Sequence, residues 1–357
     1  MKRLINLAVR SSICNLRCTY CYLNQKDVWF KNQQISYSAS PEIVARAFSK
    51  DRLGGLCLFN VCADGETLLA KDIVSYLDAI LSDGHYIELV TNMTISSIID
   101  KILLFDAEKL KRIEFKCSFH YLQLKSKGLL GVFSDNVKKV RKSGCSVCIE
   151  MIPDDSLVPL MDEIKAFSID NFGALPQLSI PRNDNEKHDL LSSYSLEDFA
   201  KIWSPFESQF FNFKLMIINK KIKTFCAAGR LSLYVDLATG YSQQCYKFNG
   251  YSFNIYENLD KPIPFCSICK CNDNYCYNGH ALLSVGCTKD YEEVHYGEIR
   301  NRKTLNGEDW LSSDMLRFMN EKADYNEAER YKKSDKKTME KAKAKYLVRR
   351  IKNRLKK

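Results

Sequence analysis

A chain of 357 residues, 45% of them hydrophobic, can bury a sizeable core, either as one large domain with a smaller one or as two of moderate size. No apolar run is long enough to span a bilayer, and the stretch after Lys2 and Arg3 is too short for a signal peptide and lacks a cleavage site, so a cytoplasmic location is expected. The net charge of +10 is concentrated at one end, where residues 331–357 hold 13 Lys and Arg against Asp335 and Glu340. It therefore describes a tail and gives no reason to expect a nucleic-acid partner for the body.

Residues 1–185 repeat one pattern, a short apolar run followed by a stretch of helical period. The strands expected are Leu4–Val9, Leu56–Val61, Tyr86–Thr91, Ile113–Phe119, Val147–Ile152 and Gln177–Pro181. Helices are expected near 41–50, 68–83, 95–111, 133–143, 156–169 and 195–210. The first of these opens on Ser40-Pro41, a cap followed by proline. Alternating strands and helices imply parallel strands joined by crossovers. Six units are too few for an eight-unit barrel, so the fold class expected is α/β with a partial (β/α)6 barrel. The texture changes after about residue 212. Residues 222–290 are rich in Cys, Gly, Asn and Tyr, and residues 309–357 are helical and increasingly basic. The division expected is a barrel at 1–212, a small Cys-rich domain at 213–308 and a basic helical tail at 309–357.

Fifteen cysteines are many for an intracellular chain. Disulfides need an oxidising compartment, which leaves zinc or iron–sulfur clusters. The loop after the first strand carries Cys14, Cys18 and Cys21, spaced Cys-x3-Cys-x-aromatic-Cys with Tyr20 as the aromatic residue. Three thiolates on one tight loop can grip three irons of a cubane cluster and leave the fourth iron open. A structural zinc site wants four closed ligands, and no fourth lies nearby in sequence. The motif follows a strand, which puts it at the C-terminal mouth of the barrel.

The motif resembles the signature of the radical S-adenosylmethionine (SAM) superfamily. The resemblance implies a [4Fe-4S] cluster whose open iron chelates SAM, cleavage to a 5′-deoxyadenosyl radical, and hydrogen abstraction from a substrate. After the second strand, Cys62-Ala63-Asp64-Gly65-Glu66-Thr67 resembles the family's Gly-Gly-Glu-Pro loop. Gly65 and Glu66 match, while Asp64 and Thr67 depart from it. The resemblance assigns Glu66 to the ligand's ammonium. Thr91-Asn92-Met93 resembles the family's Thr-Asn-Gly turn near the ribose, with Met93 replacing Gly, and Ser118 resembles the family's serine at the fourth strand end. Tyr20, Gly65, Glu66, Asn92 and Ser118 are thus the cofactor-binding candidates. Arg182 suits the SAM carboxylate, and equally a solvated loop. Cys57, Cys117, Cys145 and Cys148 lie in or beside apolar strands and read as small core hydrophobes, as does Cys62 at the mouth.

Seven cysteines fall between 226 and 287. Leu231–Leu237 alternates like a strand and Ala238-Thr239-Gly240 turns, so Cys245 returns beside Cys226. Cys266, Cys269, Cys271, Cys276 and Cys287 follow. This part resembles the SPASM or shorter Twitch extension of the family, which binds one or two auxiliary [4Fe-4S] clusters. The resemblance implies Cys226, Cys245, Cys266 and Cys269 as one ligand set. A second would draw on Cys271, Cys276, Cys287 and His280, where the spacing departs from the family's pattern. Taken alone, the same cysteines also suit a zinc ribbon.

The tail places Leu347, Ile351 and Leu355 at i+4 among Lys and Arg, which suits an anionic membrane surface, an acidic partner or a solvated helix. The function expected is a radical SAM oxidoreductase acting on a peptide or protein side chain, with an auxiliary cluster carrying electrons and a reductant such as flavodoxin or ferredoxin. Oxidation of a sugar or other small molecule, and a non-enzymatic zinc or iron–sulfur interaction protein, are the alternatives.

Overall fold

The computed structural model describes residues 1–29, 35–184, 189–220, 226–246, 248–265, 276, 279–288, 290–323, 344 and 348. The expected basic tail at 331–357, apart from residues 344 and 348, and Cys266, Cys269 and Cys271 lie outside the described residues.

Six parallel strands form the barrel wall: β1 (Arg3–Val9), β2 (Cys57–Ala63), β3 (Tyr86–Thr91), β4 (Ile113–Ser118), β5 (Ser146–Met151) and β6 (Gln177–Leu178). Each pairs with the next in sequence. The chain is therefore the α/β partial barrel that the alternating pattern implies. Three further strands, β7 (Ser232–Asp236), β8 (Tyr241–Cys245) and β9 (Phe248–Asn254), extend the sheet on the other side of β1. β7 runs parallel to β1, and β8 and β9 are antiparallel. The boundary expected at 212 thus falls between strands of one nine-stranded sheet, and β9 is a strand that the hairpin reading lacks.

The sequence also overextends several helices. The stretch at 95–111 divides into Ser96–Ile102 and Ala107–Leu110, where Asp106 caps the second piece through Lys109 N at 2.8 Å. The stretch at 195–210 ends at Trp203 because Ser204-Pro205 turns, and a new helix opens at Gln209 under the Ser208 cap. The sixth strand is only two residues long.

Parallel strands packed on both faces read as continuous apolar runs. β1 and β2 do not. Both alternate in burial toward their C-terminal ends, with Asn6, Ala8, Asn60 and Cys62 partly exposed between fully buried neighbours. The buried set, with Ile5, Phe59, Leu89 and Phe115, packs outward against the helices. Phe119 anchors that layer, with ring centroids 5.0 Å from Phe133 and 5.4 Å from Phe172. The other face looks into an open lumen. Helices Tyr296–Arg300 and Ser313–Asn320 close its lower end, where Leu4, Leu58, Phe210, Met315 and Phe318 form a second core. Tyr86 stacks on Phe318 at 3.8 Å.

Candidate functional site

Two loops at the barrel mouth are joined backbone to backbone. Gly65 N donates to Ser11 O at 2.6 Å, and Glu66 N donates to Ile13 O at 2.8 Å. A Cβ on Gly65 would collide with the Ile13 carbonyl, so this close approach requires glycine. The cysteine loop is further tied by Asn15, whose Nδ2 donates to Thr94 Oγ1 and whose Oδ1 accepts from Asn92 Nδ2, both at 2.8 Å.

Cys14, Cys18 and Cys21 are free thiols on this loop, Cys18 buried and the others half-buried. Burial pushes the Cys14 thiol up to about 11 and Cys18 to about 12, and raises Cys21 as well. A thiol in such a place stays protonated unless a metal replaces its proton. Among the described residues, no three His, Cys, Asp or Glu side chains converge closely enough for a single metal ion. A cubane cluster seats its thiolates farther apart than one ion does. The donor set, three free thiols on one loop with no disulfide among the described residues, fits a cluster. Ser12 Oγ on the same loop is buried without a hydrogen-bond partner.

Glu66 lies 3% exposed beneath this loop. Its Oε1 accepts from Thr91 Oγ1 at 2.6 Å and Leu68 N at 3.0 Å, and its Oε2 accepts from Asn92 N at 2.7 Å. Burial raises its pKa against these three donors. The side chain thus braces the ends of β2 and β3, with capacity at Oε2 for one more donor. Asn92 is equally engaged, since its Oδ1 accepts from Thr94 N at 3.1 Å and Thr94 Oγ1 at 2.6 Å. Met93, where the family has glycine, sits at φ +57° and is fully buried. The turn keeps its left-handed shape, at a cost of about 1–2 kcal/mol that burial of the thioether offsets.

Tyr20 OH lies 2.7 Å from His120 Nδ1. Burial pushes the His120 imidazole down to about 4, so the neutral ring shares a hydrogen bond with the tyrosine hydroxyl. Ser118 is half-buried at the end of β4, opposite Glu150 in register. A cavity of about 640 Å³ opens beside Cys21, lined by Arg10, Tyr20, Asp64, Arg182 and Tyr234 among others. That volume suits a cofactor-sized ligand. Asp64 pairs loosely with Arg10 at 3.7 Å and accepts from Tyr22 OH at 3.2 Å.

The lumen below holds charges that motif reading missed. Lys116 Nζ lies 3.4 Å from Glu88 and 3.5 Å from Glu150. Arg300 bridges Glu150 at 2.9 Å and Glu114 at 3.2 Å, Tyr296 OH donates to Glu88 at 2.6 Å, and Asn60 also donates to Glu88. Burial alone would raise Glu150, but Lys116 and Arg300 outweigh it and hold the carboxyl at about 2. Burial raises Glu114 to about 7 despite Arg300. The available signal was polar residues alternating with apolar ones in β4, at Glu114, Lys116 and Ser118.

Cys57, Cys117, Cys145 and Cys148 are all buried. Cys62 is half-buried and faces the lumen. In the C-terminal part, the turn before β8 places Gly240 at φ +72°, with Asn254 and Tyr256 filling the space a side chain would need. Gln244 Nε2 donates to Ala228 O at 3.3 Å, and Ala227 N donates to Cys287 O at 2.7 Å. The chain segments bearing Cys226, Cys245 and Cys287 are thus neighbours. Cys276 is half-buried and perturbs Tyr246 together with Cys245. His280, from helix Gly279–Ser284, packs edge-on to Phe210 at 5.2 Å.

The site is thus a partial α/β barrel whose first loop carries three free thiols, one buried and two half-buried. Residues 9–152 match the sequence model of the family described as the Radical SAM superfamily. The family implies a [4Fe-4S] cluster and SAM. The fold is similar to that of SuiB from Streptococcus suis, in crystal structures bound to S-adenosylmethionine (15% identity, TM-score 0.52) and to its precursor peptide SuiA (15%, 0.51). The matches cover 72% of this chain but only 65% and 64% of those chains, so the similarity spans less than two thirds of SuiB. No curated protein matches the sequence significantly. Among the described residues, no helix is long and apolar enough to cross a membrane.

Proposed function

We propose that this chain is a radical SAM enzyme that abstracts hydrogen from a peptide or protein side chain. The observation that carries the reading is the joined pair of loops at the mouth, with three unpaired thiols on one and Gly65-Glu66 on the other. Cys14, Cys18 and Cys21 would hold the [4Fe-4S] cluster. When bound, the cluster and SAM supply a one-electron bond cleavage that yields a hydrogen-abstracting 5′-deoxyadenosyl radical. The protein's own part is placement. Gly65 lets the second loop approach the cysteines, Glu66 and Asn92 fix the strand ends, and Tyr20 and Ser118 border the space where the nucleoside would lie. The nearby cavity gives the ligand and the reacting part of the substrate a common room.

We assign 213–308 to a SPASM- or Twitch-like auxiliary domain, with Cys226, Cys245, Cys266 and Cys269 as one ligand set and Cys271, Cys276, Cys287 and His280 as candidates for a second. A small one-electron donor such as flavodoxin or ferredoxin would reduce the first cluster. The peptide reading is favoured by the resemblance of the fold to SuiB, which has been seen with its precursor peptide.

The test is anaerobic reconstitution followed by reduction with dithionite and addition of SAM. Iron in excess of four per chain and release of 5′-deoxyadenosine are expected, both reduced in Cys18→Ala. Zinc in place of iron, with no SAM cleavage, would overturn the reading.

A further inference from the structure

The lumen contains one cation more than its carboxylates engage. Lys116 is held by Glu88 and Glu150, and Arg300 by Glu150 and Glu114. Lys214, on helix Gln209–Ile217, has neither a hydrogen bond nor an ion pair among the described residues. Its Nζ lies 5.2 Å from the ring of Phe210, which is fully buried. Around the same ring stand Arg300 at 5.3 Å and His280 at 5.2 Å. His280 Nδ1 is buried and has no hydrogen-bond partner. One aromatic ring thus gathers Lys214, Arg300 and His280, of which Arg300 is ion-paired and His280 is held neutral by burial.

Lys214 and His280 are half-buried rather than sealed off. Lys116 and Glu150 keep 12% and 13% of their side-chain surface accessible although they stand deep in the barrel. Burial, with Arg182 beside it, pushes the Lys214 ammonium down to about 7 against the opposing pull of Glu150. A half-buried cation in that state gains from an anion placed against it.

We propose that Lys214, with His280 and Lys116 beside it, forms an anion-binding site in the lumen whose ligand is the carboxylate of an acidic residue in the peptide substrate. The inference rests on the peptide reading above. A carboxylate is favoured over phosphate because Glu150, held ionised, stands at the same site. Lys214 makes no ion pair among the described residues and can take one singly charged group, while a dianion would be repelled more strongly by that carboxylate.

The test is thermal unfolding of the reconstituted full-length protein in the presence of N-acetylglutamate amide, N-acetylglutamine amide or inorganic phosphate at matched ionic strength. A ligand that binds only the folded state raises the midpoint in proportion to its affinity. The glutamate compound is expected to bind about tenfold tighter than its neutral isostere, a difference of ~1.4 kcal/mol. Lys214→Gln should erase that preference, Lys214→Arg should keep it, and Lys138→Gln on the exposed surface should leave it unchanged. Equal binding of the two amides to the unsubstituted protein, or a preference that survives Lys214→Gln, would overturn the proposal. Tighter binding of phosphate would overturn the carboxylate assignment. A Lys214→Gln protein with an altered iron–sulfur absorption spectrum and an intact preference would show that the charge serves a cluster instead. If SAM is not cleaved but the Lys214-dependent preference is found, the enzymatic reading falls and the site stands.

Discussion

The mouth and the floor of the same barrel are held together by different forces. At the mouth, short polar side chains and backbone amides join loops that follow one another in sequence order: Gly65 to Ser11, Glu66 to Thr91 and Asn92, Asn15 to Asn92 and Thr94. At the floor, full charges from β3, β4, β5 and helix Tyr296–Arg300 meet inside the sheet. The first arrangement positions thiols and a ligand with little buried charge. The second keeps three carboxylates and two cations out of water, which is tolerable only while each is paired. Chemistry at the mouth should therefore be separable from stability, whereas at the floor a single deletion should unbalance everything around it.

Cys14→Ser should break this comparison most visibly if it is wrong. Release of 5′-deoxyadenosine should fall to background, while the unfolding midpoint of the iron-free protein changes little, because a half-buried thiol and a hydroxyl are similar in size. A large loss of stability would mean that the mouth is as interdependent as the floor. At the floor, Arg300→Met should cost about 3–5 kcal/mol, because it strands Glu114 and leaves Glu150 to Lys116 alone. Urea unfolding reads this directly. A triple variant that also carries Glu114→Gln and Glu150→Gln should recover much of the loss, since the stranded charges go with the arginine.

Gly65→Ala probes the seam between the loops. Its Cβ would meet the Ile13 backbone, which cannot swing aside as a side chain can. A loss of about 1–3 kcal/mol is expected, together with reduced iron after reconstitution, because the cysteine loop must move to admit the methyl group. Unchanged iron content would show that the two loops are not coupled as their hydrogen bonds imply.

The same contrast explains what could be read from the sequence. The mouth is built from contiguous motifs, so Cys14, Cys18 and Cys21 stand out by their spacing, and Gly65, Glu66 and Asn92 by resemblance to the family's loops. What spacing could not give was the direction in which side chains point. Glu66 reads as a ligand for an ammonium, and the fold surrounds it with three protein donors. The floor was not legible, because it is assembled from single residues of separate strands and a helix that begins more than 140 positions after Glu150. Charged residues in apolar strands were the visible trace, at Glu88, Glu114 and Lys116. Their partner Arg300 had no local signature. The hairpin at β7 and β8 was legible from its alternation and Gly240, but its parallel docking on β1 depends on a long-range pairing.

The smallest expected effect concerns His120, which links the two regions. It sits half-buried at the mouth, hydrogen-bonded to Tyr20, yet desolvation shifts it as burial shifts the charges of the floor. Its folded pKa of about 4 lies below the ordinary value near 6.5. As the pH falls from 6.5 toward 4, the unfolded chain takes up a proton that the folded protein refuses, so stability is lost across that window. His120→Gln keeps a hydrogen-bond acceptor for Tyr20 and removes the titration. Urea unfolding of the iron-free protein should therefore show a smaller drop between pH 6.5 and 4 in the variant, by at most ~3 kcal/mol. Parallel pH profiles for the two proteins would mean that the imidazole is hydrated in solution, and that water reaches farther into the mouth than the packing around Tyr20 implies.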